Sequence, residues 1–247
     1  MPPIITRIHL PSKGDRMSAR HAMSQPALRV RLGMFAVVAA VALAADPAEA
    51  IDVKLTMDEA KKSLAAGRDP MIKAADSAKP KEEIAKLMQH ASTMTRVGAD
   101  PEKDPCGPSA ILWTKRYWLE DRGRKEAMES KKQKTEVRMP DDKIQKYLDM
   151  PNMEVVVQLC GDDEYFAEDV QVAFQQGSNK KNIPSVDVSP AERGRKIEIA
   201  GKGAAFRTRF AARFAYDSFD SNAKTKIIVT FPDGKLSEFE ADFSKVK

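Results

Sequence analysis

Histidine is scarce in this sequence, and its scarcity excludes several kinds of enzyme. The chain of 247 residues holds three histidines, of which only His90 lies beyond residue 50. One histidine cannot supply the ligands of a histidine-based zinc site. The nucleophile pattern G-x-S-x-G is also missing, and no segment has both the length and the Lys-Ser/Thr ending of a phosphate-binding loop. These absences argue against hydrolysis by a Ser–His pair.

Cysteine is equally scarce, because only Cys106 and Cys160 are present. No C-x-x-C motif of a thiol-exchange protein occurs. An even number of cysteines in an exported protein favours a disulfide. We therefore predict a Cys106–Cys160 bond that fastens a helix carrying Trp113 and Trp118 to the first strand of the C-terminal half, near an acidic loop end.

The sequence has no apolar run long enough to span a bilayer, which takes about 20 residues. The clearest apolar stretch covers the 14 residues 32–45, after two arginines and before small residues in an A-x-A pattern at 48–50. Positive charge, a short apolar run and A-x-A together are typical of a cleaved export signal. We predict a leader over 1–50 with a signal peptide at about 28–50. The mature chain is then periplasmic or secreted and has no transmembrane span.

Beyond the predicted leader there is little excess charge of either sign. The formal net charge of the whole chain is +5, but the leader holds six of the 41 Lys and Arg residues and three of the 36 Asp and Glu residues. The remainder has 35 basic and 33 acidic residues. Such a balance gives poor support for a nucleic-acid partner, and export argues against one.

Residues 51–151 form a predicted helical domain. Residues 56–59, Thr-Met-Asp-Glu, have the pattern of a capping box, and Gly67 is placed to end the helix that follows. Asp69-Pro70 predicts a second helix start. Apolar residues spaced three and four apart predict a further helix from about 80 to 97.

Two more helices are expected before the end of this domain. Ser109 is expected to cap a helix rich in large side chains. Its continuation at 122–135 is charged all round, so the sequence leaves open whether that segment is ordered or protrudes and frays. Asp141 or Asp142 then caps a last helix, and Pro151 ends it.

From Met153 the apolar period drops to two, which is typical of half-buried strands. Seven candidate strands cover residues 153–160, 169–175, 183–188, 195–200, 205–216, 225–231 and 235–244. Short strands separated by turn signals predict an antiparallel β-sandwich of immunoglobulin-like architecture over 152–247. The expected fold class is α+β, with a helical N-terminal part packed on this C-terminal sandwich.

Loop lengths in two hairpins follow from the face that the apolar residues occupy. A three-residue Pro-Asp-Gly loop pairs Ile227 with Phe239 and puts both apolar sets on one face. In the other hairpin, a four-residue loop at 201–204 places Glu198 opposite Arg207, a favourable charge pair. We expect the four-residue loop.

Acidic residues fall in the connections between the predicted strands. If consecutive strands alternate in direction, several of these connections share one end, and hard oxygens converge there as Ca²⁺ requires. The candidate ligands are Asp162, Asp163, Glu164, Asp217, Asp220 and Asn222. The same carboxylates could serve a cation-dependent hydrolase as an acid–base pair. Neither segment has a complete calcium-loop motif, so solvated turns are the favoured alternative.

The segment FRTRFAARF separates two kinds of side chain. As a strand it points its phenylalanines one way and Arg207, Arg209 and Arg213 the other. Three guanidiniums on one face could engage an anionic glycan, a lipid surface or an acidic protein. The alternative is an ordinary charged outer face, paired with acids of neighbouring strands.

Large aromatic residues offer a second candidate surface, formed by Trp113, Tyr117 and Trp118, although these could instead pack helices onto the sandwich. Because no complete catalytic motif is present, we expect a non-catalytic binding or interaction protein of the cell envelope, without a cofactor. Its partner would be an envelope protein or an anionic glycan or lipid surface. The alternative is a Ca²⁺-binding protein or a cation-dependent hydrolase that uses the acidic connections.

Overall fold

The computed structural model of the chain describes residues 51–199 and 203–246. These residues form four α-helices, a 3-10 turn and ten β-strands in two antiparallel sheets, so the fold is mixed α+β. The signal peptide predicted at about 28–50 lies outside the described residues. None of the described helices is both long and apolar enough to cross a bilayer.

The helices lie mainly in the N-terminal half. Their bounds are Met57–Ala75 (α1), Pro80–Met94 (α2), Lys115–Gln133 (α3) and Asp141–Leu148 (α4), and the 3-10 turn covers Phe243–Lys245. The predicted capping box is confirmed, because the Thr56 hydroxyl accepts the Glu59 N–H and the Glu59 carboxylate accepts the Thr56 N–H at 2.8 Å. These bonds satisfy two donors that the start of α1 leaves open.

The predicted break inside α1 is wrong, because the helix runs through both Gly67 and Pro70. Gly67 is a packing residue, since a Cβ at this position would overlap the carbonyl oxygen of Glu120 on α3. Pro70 removes one hydrogen bond of the helix interior. Complete burial of Met71, directly after it, helps to offset that loss.

The charged part of α3, whose order the sequence leaves open, is helical as far as Gln133 and packs along α1. Arg68 Nη1 of α1 lies 3.0 Å from Glu126 Oε2 of α3, and the Glu126 side chain is only 3% exposed. Its other carboxylate oxygen accepts the backbone N–H of Met139 at 2.8 Å. A buried carboxylate is tolerated when its oxygens are paired and hydrogen-bonded, so the apparent polarity of this segment hides a packed face.

All strand pairs are antiparallel. The first sheet contains, in spatial order, β1 (Arg96–Gly98), β2 (Ser109–Trp113), β3 (Asn152–Gly161) and β8 (Gly203–Ala215), with β6 (Asp187–Val188) and β7 (Arg195–Ile199) both along the far edge of β8. The second sheet contains β10 (Leu236–Asp242), β9 (Lys224–Thr230), β4 (Gln171–Gln176) and β5 (Lys181–Pro184).

The helix predicted to start at Ser109 is instead strand β2, and α3 begins only after Thr114. Ala110 and Leu112 are fully buried, whereas Ile111 and Trp113 are only half-buried, which is the period of a strand. Thr114 then caps α3 by accepting the N–H of Tyr117 at 3.1 Å. The first sheet therefore draws β1 and β2 from the N-terminal half of the chain.

One apolar core lies between the two sheets. Phe174 of β4 stacks on Phe214 of β8 with ring centroids 3.6 Å apart, and both side chains are fully buried. Val157 of β3 and Val229 of β9 belong to the same cluster. Burying each such side chain stabilises the fold by about 1.5–3 kcal/mol. We call the face of the first sheet that points away from this core the outer face.

The Pro-Asp-Gly hairpin between β9 and β10 is confirmed. Ile227 pairs with Phe239, and Leu236 pairs with Thr230 across the loop. Gly234 has φ of 82°, the left-handed conformation that glycine adopts without strain. The alternation of apolar residues in the sequence therefore predicted the register of this hairpin correctly.

The four-residue loop predicted at 201–204 is wrong, because Ile199 pairs with Gly203. This register places Arg195, rather than Glu198, opposite Arg207. The prediction assumed that the isoleucines of β7 face the core, but they are half-buried on the outer face, at the edge of the sheet. An odd loop length follows from that change of face.

Candidate functional site

The predicted disulfide is present and lies on the outer face. Cys160 belongs to β3, and Cys106 lies in the connection between β1 and β2. Their Cα atoms are 5.2 Å apart, and 54 positions separate them along the chain. Cys160 pairs with Arg207 in the sheet, so the bond is next to the predicted basic strand.

Strand β8 separates its side chains as predicted. Phe210 and Phe214 are buried in the core, while Arg207, Arg209 and Arg213 alternate with them on the outer face. The outer face of β8 is therefore basic along most of its length.

Arg213 differs from the other two arginines because it is neutralised. Its guanidinium lies 2.9 Å from Asp187 on one neighbouring strand and 3.5 Å from Glu154 on the other. Cross-strand pairs of this kind support a sheet. Arg213 thus fits the alternative in which an outer-face charge is matched by acids of neighbouring strands.

Arg207 and Arg209 form no ion pair with any carboxylate in residues 51–199 and 203–246. Arg195, directly opposite Arg207 on β7, forms none there either. Like charges directly opposite each other in a sheet destabilise it. Three guanidiniums therefore lie together without the neutralisation that Arg213 receives, and we call Arg195, Arg207 and Arg209 the basic patch.

Arg96 of β1 extends this positive region, and sequence reasoning missed it. Burial lowers the pKa of Arg96, and the nearby Arg209 guanidinium lowers it further, although Asp100 acts in the opposite direction. Arg96 was assigned to the end of a helix, so its place on the outer face could not be foreseen. The short Arg-Val-Gly segment before a proline-rich turn was the available signal.

The three aromatic residues do lie together, although on two elements rather than one helix. Trp113 ends β2, and its ring centroid is 4.8 Å from that of Tyr117 and 4.3 Å from that of Trp118, both on α3. Tyr117 is buried, and burial raises its pKa. The cluster is mostly a packing layer between α3 and the first sheet, with the two tryptophans half-exposed at its margin.

The acidic stretch after β3 is a turn that satisfies its own polar groups. The Asp163 carboxylate accepts the N–H of Tyr165 at 2.7 Å. Glu164 pairs with Arg193 at 2.5 Å, and its carbonyl accepts the N–H of Gly194 at 2.7 Å. Hydrogen bonding to Glu164 raises the pKa of Arg193. These bonds favour the solvated-turn interpretation over a ligand shell.

The predicted calcium ligands fall into two separate groups. Asn152 pairs with Ala215 and Gly161 with Phe206, so the turn after β3 and the turn after β8 lie at opposite ends of β3. Asp162, Asp163 and Glu164 belong to the first of these turns, and Asp217, Asp220 and Asn222 belong to the second. The structure therefore does not bring these six residues together around one centre.

The reason lies in the direction of the edge strands. β6 and β7 both pair antiparallel with β8 along the same edge, so they run in the same direction. The prediction assumed a chain reversal between them. No three His, Cys, Asp or Glu side chains in residues 51–199 and 203–246 are grouped so that they could hold a metal ion.

No protein family matches this chain, and no curated protein matches it either. Among solved structures, the chain is similar to one described as "IgNAR antibody domain C1", with a TM-score of 0.22 and 12% identity. The similarity covers 37% of this chain and 76% of that chain. A likeness with so low a TM-score supports no conclusion about fold or function.

Proposed function

We propose that this chain is an exported, non-catalytic binding protein of the cell envelope that engages an anionic partner through the basic patch. One observation carries the proposal: Arg195, Arg207 and Arg209 lie together on the outer face without a carboxylate partner in the described residues. A guanidinium binds carboxylate, sulfate or phosphate through paired, charge-assisted hydrogen bonds. An anionic partner would relieve the repulsion between these arginines.

The contrast within one strand strengthens this proposal. Arg213, on the same face of β8, is held between two carboxylates. A charged outer face whose only role is solubility would be expected to pair its other arginines in the same way. The patch at the other end of β8 is instead left available to a partner.

An extracytoplasmic location is supported by the disulfide, because such bonds persist in oxidising compartments and are rare in the cytoplasm. The predicted signal peptide at 28–50 agrees with this location. We therefore infer that the chain is periplasmic or secreted.

We further infer that the two sheets act as an immunoglobulin-like sandwich that presents the patch. Support comes from the shared core, in which side chains of both sheets belong to one cluster. The strands after Asn152 supply most of this core, and the helices pack separately around Leu64 and Leu119. A rigid sheet holds three guanidiniums in fixed positions, which favours recognition of a repetitive anionic surface.

Substituting Arg195→Glu and Arg207→Glu together tests the proposal. Retention on an immobilised polyanion, such as sulfated dextran, should fall to markedly lower salt than for the parent protein. Lys62→Glu with Lys81→Glu is the matched control, because both lysines are exposed on helices and the charge change is the same. Equal retention of the two variants would remove the patch as the binding surface.

A second experiment tests the competing calcium hypothesis. Thermal melts of the parent protein with and without millimolar Ca²⁺ should agree if the acidic turns are only solvated. A calcium-dependent rise in Tm that is lost in Asp162→Asn, with polyanion retention unaffected by the arginine changes, would favour a cation-binding protein instead.

A further inference from the structure

Four strands of the first sheet contribute to one row across its outer face. The register pairs Gly98 with Ser109, Ser109 with Gln158, and Gln158 with Arg209. Neighbouring strands lie about 4.8 Å apart. Arg209 of β8 and strand β1 therefore flank a strip that is two strands wide and is formed by β2 and β3. Arg96 reaches into the strip from the adjacent row.

The floor of this strip is polar and buried. Ser109 is fully buried, and Gln158 is 4% exposed. Arg96 Nη1 donates to the Ser109 hydroxyl at 3.4 Å, and Arg209 Nε donates to the Gln158 side-chain oxygen at 3.1 Å. Two arginines from opposite sides of the strip therefore converge on neighbouring floor residues.

Two buried donors at this place have no acceptor. The Gln158 amide nitrogen and Arg96 Nε are both inaccessible to solvent and form no hydrogen bond with any residue that the structure describes. Buried donors are paired in the large majority of cases, and leaving one unpaired is costly. The only oxygen of the Gln158 side chain is already used by Arg209.

The electrostatics of the strip are positive. Neither Arg96 nor Arg209 pairs with a carboxylate within the described residues, and the two guanidiniums repel each other. Asp100 is the acidic group that acts on Arg96, and the ring of Tyr117 lies nearby. Arg96 also lines an open cavity of about 470 Å³ between α2 and β1, whereas Gln158 and Arg209 do not.

We propose that Arg96, Arg209 and Gln158 form a subsite for one oxyanion group of the sulfate or phosphate type. The proposal rests on the proposed function, because it makes this subsite the place where the anionic partner inserts a single charged group. Two guanidiniums and one amide supply several N–H donors, two of which are unpaired, and charge-assisted hydrogen bonds of this kind bind an oxyanion. A cation is unsuited to the site, because its charged groups are both positive and its one amide oxygen is occupied.

The probes are inorganic sulfate and inorganic phosphate, measured by calorimetry at constant ionic strength with chloride as the reference. Arg96→Met and Gln158→Met should each weaken binding by about tenfold or more, since each removes one hydrogen bond to a charged group. Arg209→Met, at an exposed position that tolerates change, provides a variant that is expected to fold. Lys81→Met, on the exposed side of α2, should bind as the parent protein does.

Folding of each variant is checked by the far-ultraviolet circular dichroism spectrum and by the absence of titratable thiols. A further measurement separates a lipid phosphate from a free oxyanion. If phosphatidylglycerol vesicles compete with inorganic phosphate, and if Arg96→Met weakens vesicle binding, the bound group is an esterified phosphate. Vesicles that do not compete identify a free oxyanion. Both results support the subsite.

Failure of the subsite is distinguishable from failure of the proposed function. If neither oxyanion binds, or if folded Arg96→Met and Arg209→Met bind both as tightly as the parent protein, the subsite is wrong. The polyanion retention of the Arg195→Glu, Arg207→Glu variant is independent of that result, because it changes neither Arg96 nor Arg209. If the Arg195→Glu, Arg207→Glu variant loses retention while the parent protein binds neither oxyanion, the basic patch is supported and the subsite is wrong.

Discussion

Alanine at Gly67 or Gly123 should destabilise the protein, although alanine is the better helix former. The two glycines lie where α1 and α3 cross. A Cβ on Gly67 would overlap the carbonyl oxygen of Glu120, and a Cβ on Gly123 would overlap that of Leu64. The absence of a side chain at each glycine therefore allows the backbones of α1 and α3 to come into direct contact.

The sign of the effect follows from two opposing magnitudes. Replacing glycine by alanine inside a helix stabilises it by about 1 kcal/mol. Overpacking a close contact typically costs about 1–3 kcal/mol, and here the obstacle is a backbone carbonyl that cannot rotate away as a side chain can. Separating the helices would also loosen the buried Leu64 and Leu119. Because a backbone obstacle puts the cost in the upper part of that range, at about 2–3 kcal/mol, we expect each substitution to lower the free energy of unfolding by about 1–2 kcal/mol net.

Urea unfolding, followed by circular dichroism, measures this effect as a lower midpoint at unchanged slope. The control is Ala66→Gly, at an exposed position on the same helix, which should cost about 1 kcal/mol through helix propensity alone. The double variant should lose less than the sum of the two single losses, because both glycines serve one contact. A Gly67→Ala protein as stable as the parent would refute the reasoning.

Two further predictions concern the disulfide and the pH dependence of stability. Removing the bond with Cys106→Ser and Cys160→Ser should lower the free energy of unfolding by about 4 kcal/mol, the chain-entropy value for a loop of this length; an unchanged urea midpoint would contradict it. Burial raises the pKa of Tyr216, so the folded state keeps a phenol proton that the unfolded chain loses near pH 10. Stability should therefore fall as pH rises above about 10, and urea unfolding between pH 8 and 11 should show a shallower fall for Tyr216→Phe. That variant should also lose about 1–3 kcal/mol at neutral pH, because the Lys115 N–H donates to the Tyr216 hydroxyl; an unaltered pH slope would contradict the assignment.

Short-range features could be predicted from the sequence. The capping box at Thr56, the alternation along β8 and the Pro-Asp-Gly hairpin are each encoded within about a dozen residues. The disulfide needed only the cysteine count and the compartment. In the first three cases the local chemistry has one favoured solution, and in the fourth the chain offers only one pair of cysteines. No knowledge of the strand order was therefore required.

Long-range features could not be predicted, because they depend on which elements become neighbours. The residues Ser109–Trp113 fit a helix or a strand equally well until β1 and β3 lie on either side. Gly67 resembles a helix stop until α3 crosses it. The partners of Arg96 and Arg195 are set by the strand order, so the basic residues that complete the candidate site were missed.

The basic patch is a matter of placement rather than of composition. Beyond residue 50 the chain has 35 basic and 33 acidic residues, so carboxylates are available in nearly equal number. Acids pair with Arg213, Arg193 and Arg68, yet within the part of the chain that the structure describes none pairs with Arg207 or Arg209. The chain has enough carboxylates to pair these arginines, so its net charge does not explain why adjacent guanidiniums are left unpaired. Leaving them unpaired costs stability, because like charges repel. The proposed binding of an anionic group at this face would give that cost a physical reason.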